Sequence, residues 1–538
     1  MVWRRRTLAA IVVALVGLTA LALTQRAGGV RQAPASVTLD GQTLDPGARD
    51  VSPRPALGLL LPPGSRTADF TAAIDGRIVP IAPGIGRSAR LSVGELAQGS
   101  RHRVEVWRGT IGTAHVGAVA VDFQVAAPLQ VAASWLVTPR GTTVVVSASR
   151  ELADGAAVEA ALTRAGASVR RDERGIEGRW RPGHPARFTV PAGTRATTGA
   201  YLPADFSPSA PLPLPVATSR VDLSSDPGPP RQGLRLRAYY LAGPAAQASL
   251  ARNASRIGVL SPAFYTVDSG GALVPAVEEA VLATAHAANL SVEPLVTNRD
   301  FSATTARGIF RAGADAVAPA LVTEARRRGY AGYQLDFEGL AAADRGALKA
   351  FSGDLAARLR EAGLNYSTAV VPSKDNGSAL GQLFGHAGAY DYAQLARGAT
   401  SISVMSYDQH TAVTDPGPVA GLDWVRRVTE ATTAGIDRAH AYLGVPLYYR
   451  DWPLHGTPTA GSFPDLLATA GQNDGTITWD FASMTPYVRY ALNGEEHVAW
   501  TENRTSLLVK QQLAHELRFE GIAAWRLGFE DPAFWELW

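Results

Sequence analysis

Beyond Leu234 the chain settles into a strict rhythm, in which apolar runs of strand length alternate with longer stretches whose apolar residues fall at three- and four-residue spacing. That pattern belongs to βα units laid on a parallel sheet. Eight strand candidates can be counted: RLRAYYL (235–241), IGVLSPAFY (257–265), SVEPLV (291–296), YQLDF (333–337), NYSTAVV (365–371), SISVMSY (401–407), AYLGVPL (441–447) and GIAAWRL (521–527). Helical stretches intervene at 277–288, 316–328, 343–361, 423–434 and 505–519. Eight such strands in about 300 residues are the content of an α/β TIM (β/α)8 barrel, which is the fold expected for 234–538. The gap 448–500, with its TITWD and HVAWTE segments, is longer than one helix needs and reads as an inserted hairpin or small β-rich subdomain.

The chain ahead of the barrel follows other rules. Over 35–126, short apolar runs (VTLDG, ALGLLLPPG, FTAAIDGRIVPI, HRVEVWRG, VAVDFQVA) are cut by turn clusters, the pattern of an all-β sandwich. Its last two runs resemble the closing strands of bacterial immunoglobulin-like modules. WLVTP, TTVVVSAS and ARFTVPAG suggest a second such sandwich over 127–218. The stretch SRVDLSSDPGPPRQG (219–233) is dense in Ser, Pro and Gly and reads as a linker. The expected architecture is therefore multidomain, a C-terminal TIM barrel preceded by two all-β immunoglobulin-like sandwiches.

Within 1–30, Arg4, Arg5 and Arg6 precede an apolar run over 8–23, the layout of a positive n-region and an h-region. Ala20 and Ala22 offer an A-x-A cleavage pattern, and the run, about 16 residues, falls just short of the ~17 that span a bilayer. A cleaved signal peptide and an uncleaved N-terminal membrane anchor are both compatible with it. Either one places the body outside the cytosol, in an extracellular, periplasmic or cell-envelope setting.

Several chemistries drop out. With Cys 0 the chain has no disulfide, thiolate metal site or thiol nucleophile. A net charge of +3 without Lys/Arg runs in the body gives no nucleic-acid footprint. His386, His410 and His440 are scattered, no HExxH is present, and Gly-containing stretches such as GGALVP lack phosphate-binding spacing. No metal and no cofactor are expected, and the sequence names no protein partner.

Acidic residues at the ends of barrel strands carry the most weight, because the working end of such a barrel is the carboxyl end of its strands. In AGYQLDFEGL, Asp336 and Glu338 are two apart, so strand alternation points both to one face. Two carboxylates held that close cannot both ionise freely, and a proton kept by the pair makes a general acid. The plainer reading of the same residues is a cap on the helix that follows.

The run AGYQLDFE resembles the signature D-G-x-D-x-D-x-E of family 18 glycoside hydrolases, with Gly332, Asp336 and Glu338 on its Gly, last Asp and Glu. Ala331 and Gln334 depart from it. In the spore-cortex and germination branch of that family an amide commonly stands at the second position. VMSYDQH (404–410) is similar to the sixth-strand motif M-x-Y-D and brings in Met405, Tyr407 and Asp408; YLGVPLYYRDW (442–452) and IAAWRLGFEDP (522–532) resemble the seventh and eighth strands, with Trp525 as the tryptophan that floors a sugar pocket. SPAFYTVDSGGAL and VEPLVTN resemble the second- and third-strand regions, which adds Tyr265 and Asn298 as candidate cleft residues, with Asp268 and Glu502 as further candidates. Trp424, Trp452, Trp479 and Trp500 read more readily as packing residues than as sugar platforms.

The resemblance implies substrate-assisted hydrolysis, in which no enzyme nucleophile is needed. Glu338 would protonate the glycosidic oxygen while the substrate's own 2-acetamido oxygen attacks the anomeric carbon; Asp336 would orient the acetamido N–H, Tyr407 would bond its oxygen, and Gln334, Met405, Asp408 and Trp525 would hold the sugar. The implied partner is a polysaccharide containing N-acetylglucosamine, peptidoglycan or a related wall polymer by the branch resemblance. Three alternatives stay open: a barrel that binds glycans without cleaving them, which Ala331 and Gln334 favour; a surface scaffold whose sandwiches bind a partner; and a chitinase or exopolysaccharide hydrolase.

Overall fold

A computed structural model describes residues 34–111, 114–173, 175–211, 216–373 and 386–538. The charged and apolar N-terminal run lies outside them. Among the described residues no helix is long and apolar enough to cross a membrane. The described residues fall into two compact units, those within 1–129 with 195–201, and those within 130–194 with 202–538.

The first unit holds two five-stranded sheets and a two-stranded ribbon, Gly109–Ile111 with Ala114–Val116. Its strands alternate as a half-buried sheet must. In Val119–Val125, Val121, Phe123 and Val125 turn inward while Ala120 and Asp122 face solvent. The inward residues of both sheets, among them Val37, Leu59, Val104, Val106 and Phe123, share one core.

The second unit is built on eight parallel strands: β1 (Arg235–Tyr240), β2 (Val259–Pro262), β3 (Ser291–Val292, continued as Leu295–Asn298), β4 (Gly332–Asp336), β5 (Asn365–Val370), β6 (Ser401–Val404), β7 (Ala441–Pro446) and β8 (Gly521–Trp525). Each pairs with its neighbour in parallel, β8 pairs with β1, and β2 meets both segments of β3, the second through its extension Tyr265–Val267. The ring is that of a TIM-like barrel. The break in β3 falls at Glu293 and Pro294, where proline has no N–H to give to the ladder.

Helices α1 (Pro244–Asn253), α2 (Glu279–Ala287), α3 (Ala303–Ala312), α4 (Ala314–Arg328), α5 (Arg345–Glu361), α6 (Tyr392–Gly398), α7 (Leu422–Thr432) and α8 (Arg504–Glu516) occupy the connections. Each of the longer ones buries a stripe: Val317, Leu321 and Ala325 on α4, and Leu348, Phe351, Leu355 and Leu359 on α5. Inside the barrel the lowest layer is polar. Arg237 and Glu293 form a buried ion pair at 2.8 Å, bonded to Ser261, Ser367 and Asn365. Tyr239, Leu295, Tyr442 and Ala523 cluster inside the barrel, with the Arg237 guanidinium 5.1 Å from the centre of the Tyr442 ring.

Residues 127–218 do not make a sandwich of their own. They supply four strands of a five-stranded sheet, whose fifth strand is Thr218–Leu223, and the helix Gly155–Arg164. The layer facing that sheet comes from the insertion, five antiparallel strands (Tyr448–Pro453, Thr459–Ser462, Thr476–Asp480, Thr485–Leu492, Glu495–Trp500) with the helix Phe463–Gln472. Leu136 packs against Phe463 and Leu466, Trp479 against Ala132 and Val221, and Ser147 Oγ donates to the Trp479 carbonyl at 3.0 Å. Both faces of the central strand Val131–Thr138 are buried, and one of them is covered by a segment more than 300 positions downstream. The expected linker 219–233 is corrected in part for the same reason. Its first residues belong to the strand Thr218–Leu223, paired with Val131–Thr138, where Val221 fills the shared core.

Candidate active site

All five residues of β4 are buried. Alternation sends Tyr333 outward, where its hydroxyl donates to the Leu321 carbonyl of α4 at 2.7 Å, and turns Gln334 and Asp336 into the barrel. Gly332 is required where β4 meets β5, because a Cβ there would run into the Asn365 carbonyl.

Glu338 lies two residues past the end of the strand, beyond the reach of the ladder. Side chains take over. The Asn298 amide accepts the Glu338 N–H at 2.9 Å through Oδ1 and donates to the Glu338 carbonyl at 2.9 Å through Nδ2, while Tyr390 Oη donates to the Phe337 carbonyl at 2.8 Å. Asn298 thus acts as one more peptide of the neighbouring strand. Gly339 then turns the chain with φ 74°, its Cα pressed so closely on the Phe301 carbonyl that no side chain fits.

Asp336, Glu338, Met405, Tyr407, Asp408 and Trp525 converge on one cleft with Val371 and Pro372, at the carboxyl ends of the strands. Three expected residues lie elsewhere. Gln334 sits one layer below, its Nε2 donating to Ser403 Oγ at 3.0 Å. Asn298 is committed to the Glu338 backbone. Tyr265 faces away from the mouth, bonded to Glu324 at 2.9 Å and Tyr330 at 3.0 Å and packed edge-on against Tyr330 and Tyr333. Of the further candidates, Asp268 holds a turn through the N–H groups of Gly270 and Ala272, and Glu502 is buried in an ion pair with Lys510 at 2.7 Å. Trp424 and Trp479 are core residues, Trp452 donates to the Thr414 carbonyl, and Trp500 packs on Tyr487 at 4.9 Å. His410 meets the Asp415 carbonyl at 3.0 Å and His440 is exposed; neither lines the cleft. His386 falls where no side chain is described. No group of three or more His, Cys, Asp and Glu fit for a metal occurs among the described residues.

Electrostatics single out the acid pair. Asp336 is buried, no cation lies beside it, and its Oδ1 has no hydrogen-bond partner among the described residues; burial pushes its carboxyl well above the usual range. Glu338 is recessed with one edge open to the cleft, and desolvation, then the charges of Asp336 and Asp408, push it up as well. The pair therefore holds a proton far more tightly than two free carboxylates would. Burial also keeps the Tyr407 phenol neutral and able to donate.

Asp408 differs. Its backbone takes a left-handed φ of 59°, and its Oδ1 accepts from Tyr448 Oη at 2.6 Å and Arg450 Nη2 at 2.7 Å. Tyr448 and Arg450 were not singled out from the sequence, although their place directly after a barrel strand, in YYRDW, is the signal that marks them. Trp525 keeps a partly open face and tilts against Tyr239 at 5.2 Å and 59°.

Fold and cleft together define a TIM-like barrel that carries a buried acid pair at its mouth. Residues 298–530 match the family model for Glycosyl hydrolases family 18. YdhD of Bacillus subtilis, named for a sporulation-specific glycosylase, is 34% identical over 217 residues, which cover 39% of this chain and 50% of its own. The cortical fragment-lytic enzyme of the same organism is 30% identical over 223 residues, 40% of this chain and 51% of its own. The chain thus spans about half the length of the curated relatives it matches. A chitinase from Chromobacterium violaceum superposes with a TM-score of 0.53 at 25% identity, over 56% of this chain and 97% of that one.

Proposed function

We propose that this protein is an exported glycoside hydrolase that cleaves β-linked glycans containing N-acetylglucosamine, peptidoglycan or a related wall polymer, with retention of configuration. The observation that carries the reading is the pair Asp336 and Glu338, buried at the barrel mouth without a cation, which keeps a proton where a glycosidic oxygen needs one. Asp408 is a poor candidate for an enzyme nucleophile, since Tyr448 and Arg450 hold its carboxylate. In the substrate-assisted scheme that the family resemblance implies, the attacking oxygen is the substrate's own acetamido group. Asp336 orients the acetamido N–H, the Tyr407 hydroxyl donates to its oxygen as charge develops, Glu338 protonates the leaving oxygen, and the Glu338 carboxylate then draws a proton from the water that opens the oxazolinium ring. Trp525 offers a flat face to the sugar, beside Met405.

The domain family and the cortical fragment-lytic relative support a cell-wall glycan as substrate and an extracellular or cell-envelope location. The N-terminal run is read as a signal peptide or membrane anchor, and the first β unit as an immunoglobulin-like spacer. A barrel that binds glycan without cutting it is the second reading, favoured by the neutral amide of Gln334 below the acid pair. The test is digestion of purified sacculi and of acetylated chito-oligosaccharides, with products read by mass spectrometry. New reducing ends at N-acetylglucosamine, lost in Glu338→Gln, are expected. Cleavage that survives that substitution overturns the assignment, and binding without cleavage selects the second reading.

A further inference from the structure

Arg526 has no place in the acid chemistry, yet its setting differs from that of the other arginines buried in the barrel. Arg237 meets Glu293 at 2.8 Å, Arg328 meets Glu324 at 2.8 Å and Arg450 meets Asp408 at 2.7 Å. Arg526 is partly buried and meets no carboxylate. Among the described residues its guanidinium makes no hydrogen bond and no ion pair, and burial, offset by no acidic neighbour, pushes the group below its ordinary range. What holds it is an aromatic ring. The guanidinium carbon lies 3.9 Å from the centre of the Phe529 ring, in a turn closed by the Phe529 N–H on the Arg526 carbonyl at 3.3 Å. That turn is fixed on two sides, by the Leu527 N–H on the Tyr239 carbonyl at 2.9 Å and by the Phe463 N–H on the Phe529 carbonyl at 2.9 Å. A cation resting on a ring face spends none of its N–H donors. Arg526 is therefore a preset fork whose donors stay free.

The fork stands at the rim of the mouth. Arg526 directly follows Trp525, which ends β8 and lines the cleft. Asp336, Glu338 and Asp408 line the same cleft, and none of them compensates the guanidinium, so the cation is held apart from the acid pair. We infer that Arg526 is a specificity-determining residue that binds a carboxylate on the sugar next to the one seated on Trp525, selecting acidic over neutral glycans. The inference rests on the glycoside hydrolase reading and names the substrate class of that same site. A planar guanidinium matches a carboxylate N–H for oxygen, and a partly dehydrated fork with unspent donors gains more from the match than one already bonded to protein. In a strand where N-acetylglucosamine alternates with an acidic sugar, the neighbour of the seated residue carries such a group. The muramyl side chain of peptidoglycan and a uronate are two sources of the same chemistry.

The test uses the full chain with Arg526→Gln and Arg526→Lys on three sets of oligosaccharides of equal length. Acetylated chito-oligosaccharides are neutral, peptide-free peptidoglycan strands carry muramyl carboxylates, and in the third set N-acetylglucosamine alternates with a uronate. Expected in Arg526→Gln is a KM about 5- to 20-fold higher on at least one acidic set, with kcat within about twofold and the neutral set unchanged. Arg526→Lys keeps the charge, loses the fork and should recover part of the difference. The acidic set that responds names the source of the carboxylate. Equal changes on neutral and acidic sets, no change on any, or a parent chain that cuts only the neutral set overturns the inference and leaves the hydrolase reading standing. Should the parent chain cut none of them, calorimetric titration separates the two claims. Affinity for an acidic strand that is lost in Arg526→Gln upholds the carboxylate site while the hydrolase reading fails; affinity equal in parent and variant, or no binding of any acidic strand, overturns the site.

Discussion

The barrel buries charge at both of its ends, and the two ends treat it in opposite ways. At the floor, burial works to raise the Glu293 carboxyl, but the Arg237 guanidinium and hydrogen bonds from Arg237, Ser367 and Asn365 outweigh it and hold the group below the usual range. At the mouth, Asp336 and Glu338 meet the same desolvation with no cation to offset it, and both are raised. Compensated charge is fixed in one protonation state and serves the fold. Uncompensated charge sits near a protonation change and can do chemistry.

The largest effect expected of this contrast is at Glu338. Glu338→Gln should lower kcat by about 10²–10⁴, the range for a lost general acid, measured on whichever oligosaccharide the parent chain cleaves. The same substitution should raise the Tm. An acid whose folded pKa lies above its unfolded value contributes stability that is complete at low pH and is lost as pH rises through the folded pKa. The variant's Tm advantage should therefore be small near pH 4 and grow toward neutral pH, and a constant or negative difference would break the claim that the mouth is uncompensated. Next in size is the floor. Glu293→Ala leaves Arg237 buried without its counter-charge and should cost about 3–5 kcal/mol in denaturant or thermal unfolding, while the pH dependence of any surviving activity keeps its shape. If the pH profile moves instead, the two ends are not separable.

Asp336→Asn sharpens the comparison within the mouth. Removing a neighbouring negative charge should let Glu338 ionise more easily, so the alkaline limb of kcat/KM moves to lower pH, by about one unit if the interaction is of ordinary size. A limb that stays in place would mean that burial alone sets the Glu338 proton.

What the sequence disclosed follows the range of the interactions involved. The eight strands were legible because alternation and helical spacing are local, and Asp336 with Glu338 because a strand end in a parallel barrel is a position with a known use. Tyr265 was not, since whether it faces in or out depends on the chain parity across Ala263 and Phe264, between β2 and its extension, which no local pattern carries. The sheet of 127–218 was misjudged because its other layer is encoded in 448–500, and a pairing across that distance leaves no trace in either segment. Thr218–Leu223 hid in a Ser- and Pro-rich stretch since Val221 is its one fully buried side chain.

Asn298 shows the same limit at a single residue, and carries the smallest of these expectations. As a cleft residue it would bind sugar, and its loss would raise KM. Where it stands, its amide completes the backbone bonding of Glu338 on both sides, at 2.9 Å each. Asn298→Ala removes both bonds and lets the carboxyl drift without touching the substrate. Misplacement of an acid by a fraction of an ångström weakens proton transfer more than it weakens binding. The expected result is therefore a kcat about tenfold lower with KM within about twofold, and an alkaline limb that stays put, because neither the burial nor the charge neighbours of Glu338 change. Asn298→Asp keeps the acceptor for the Glu338 N–H but loses the donor and adds a charge, so it should recover little and should move the limb upward. A KM effect that dominates in Asn298→Ala would return Asn298 to the cleft and break the distinction between the residue that holds the acid and the residues that meet the sugar.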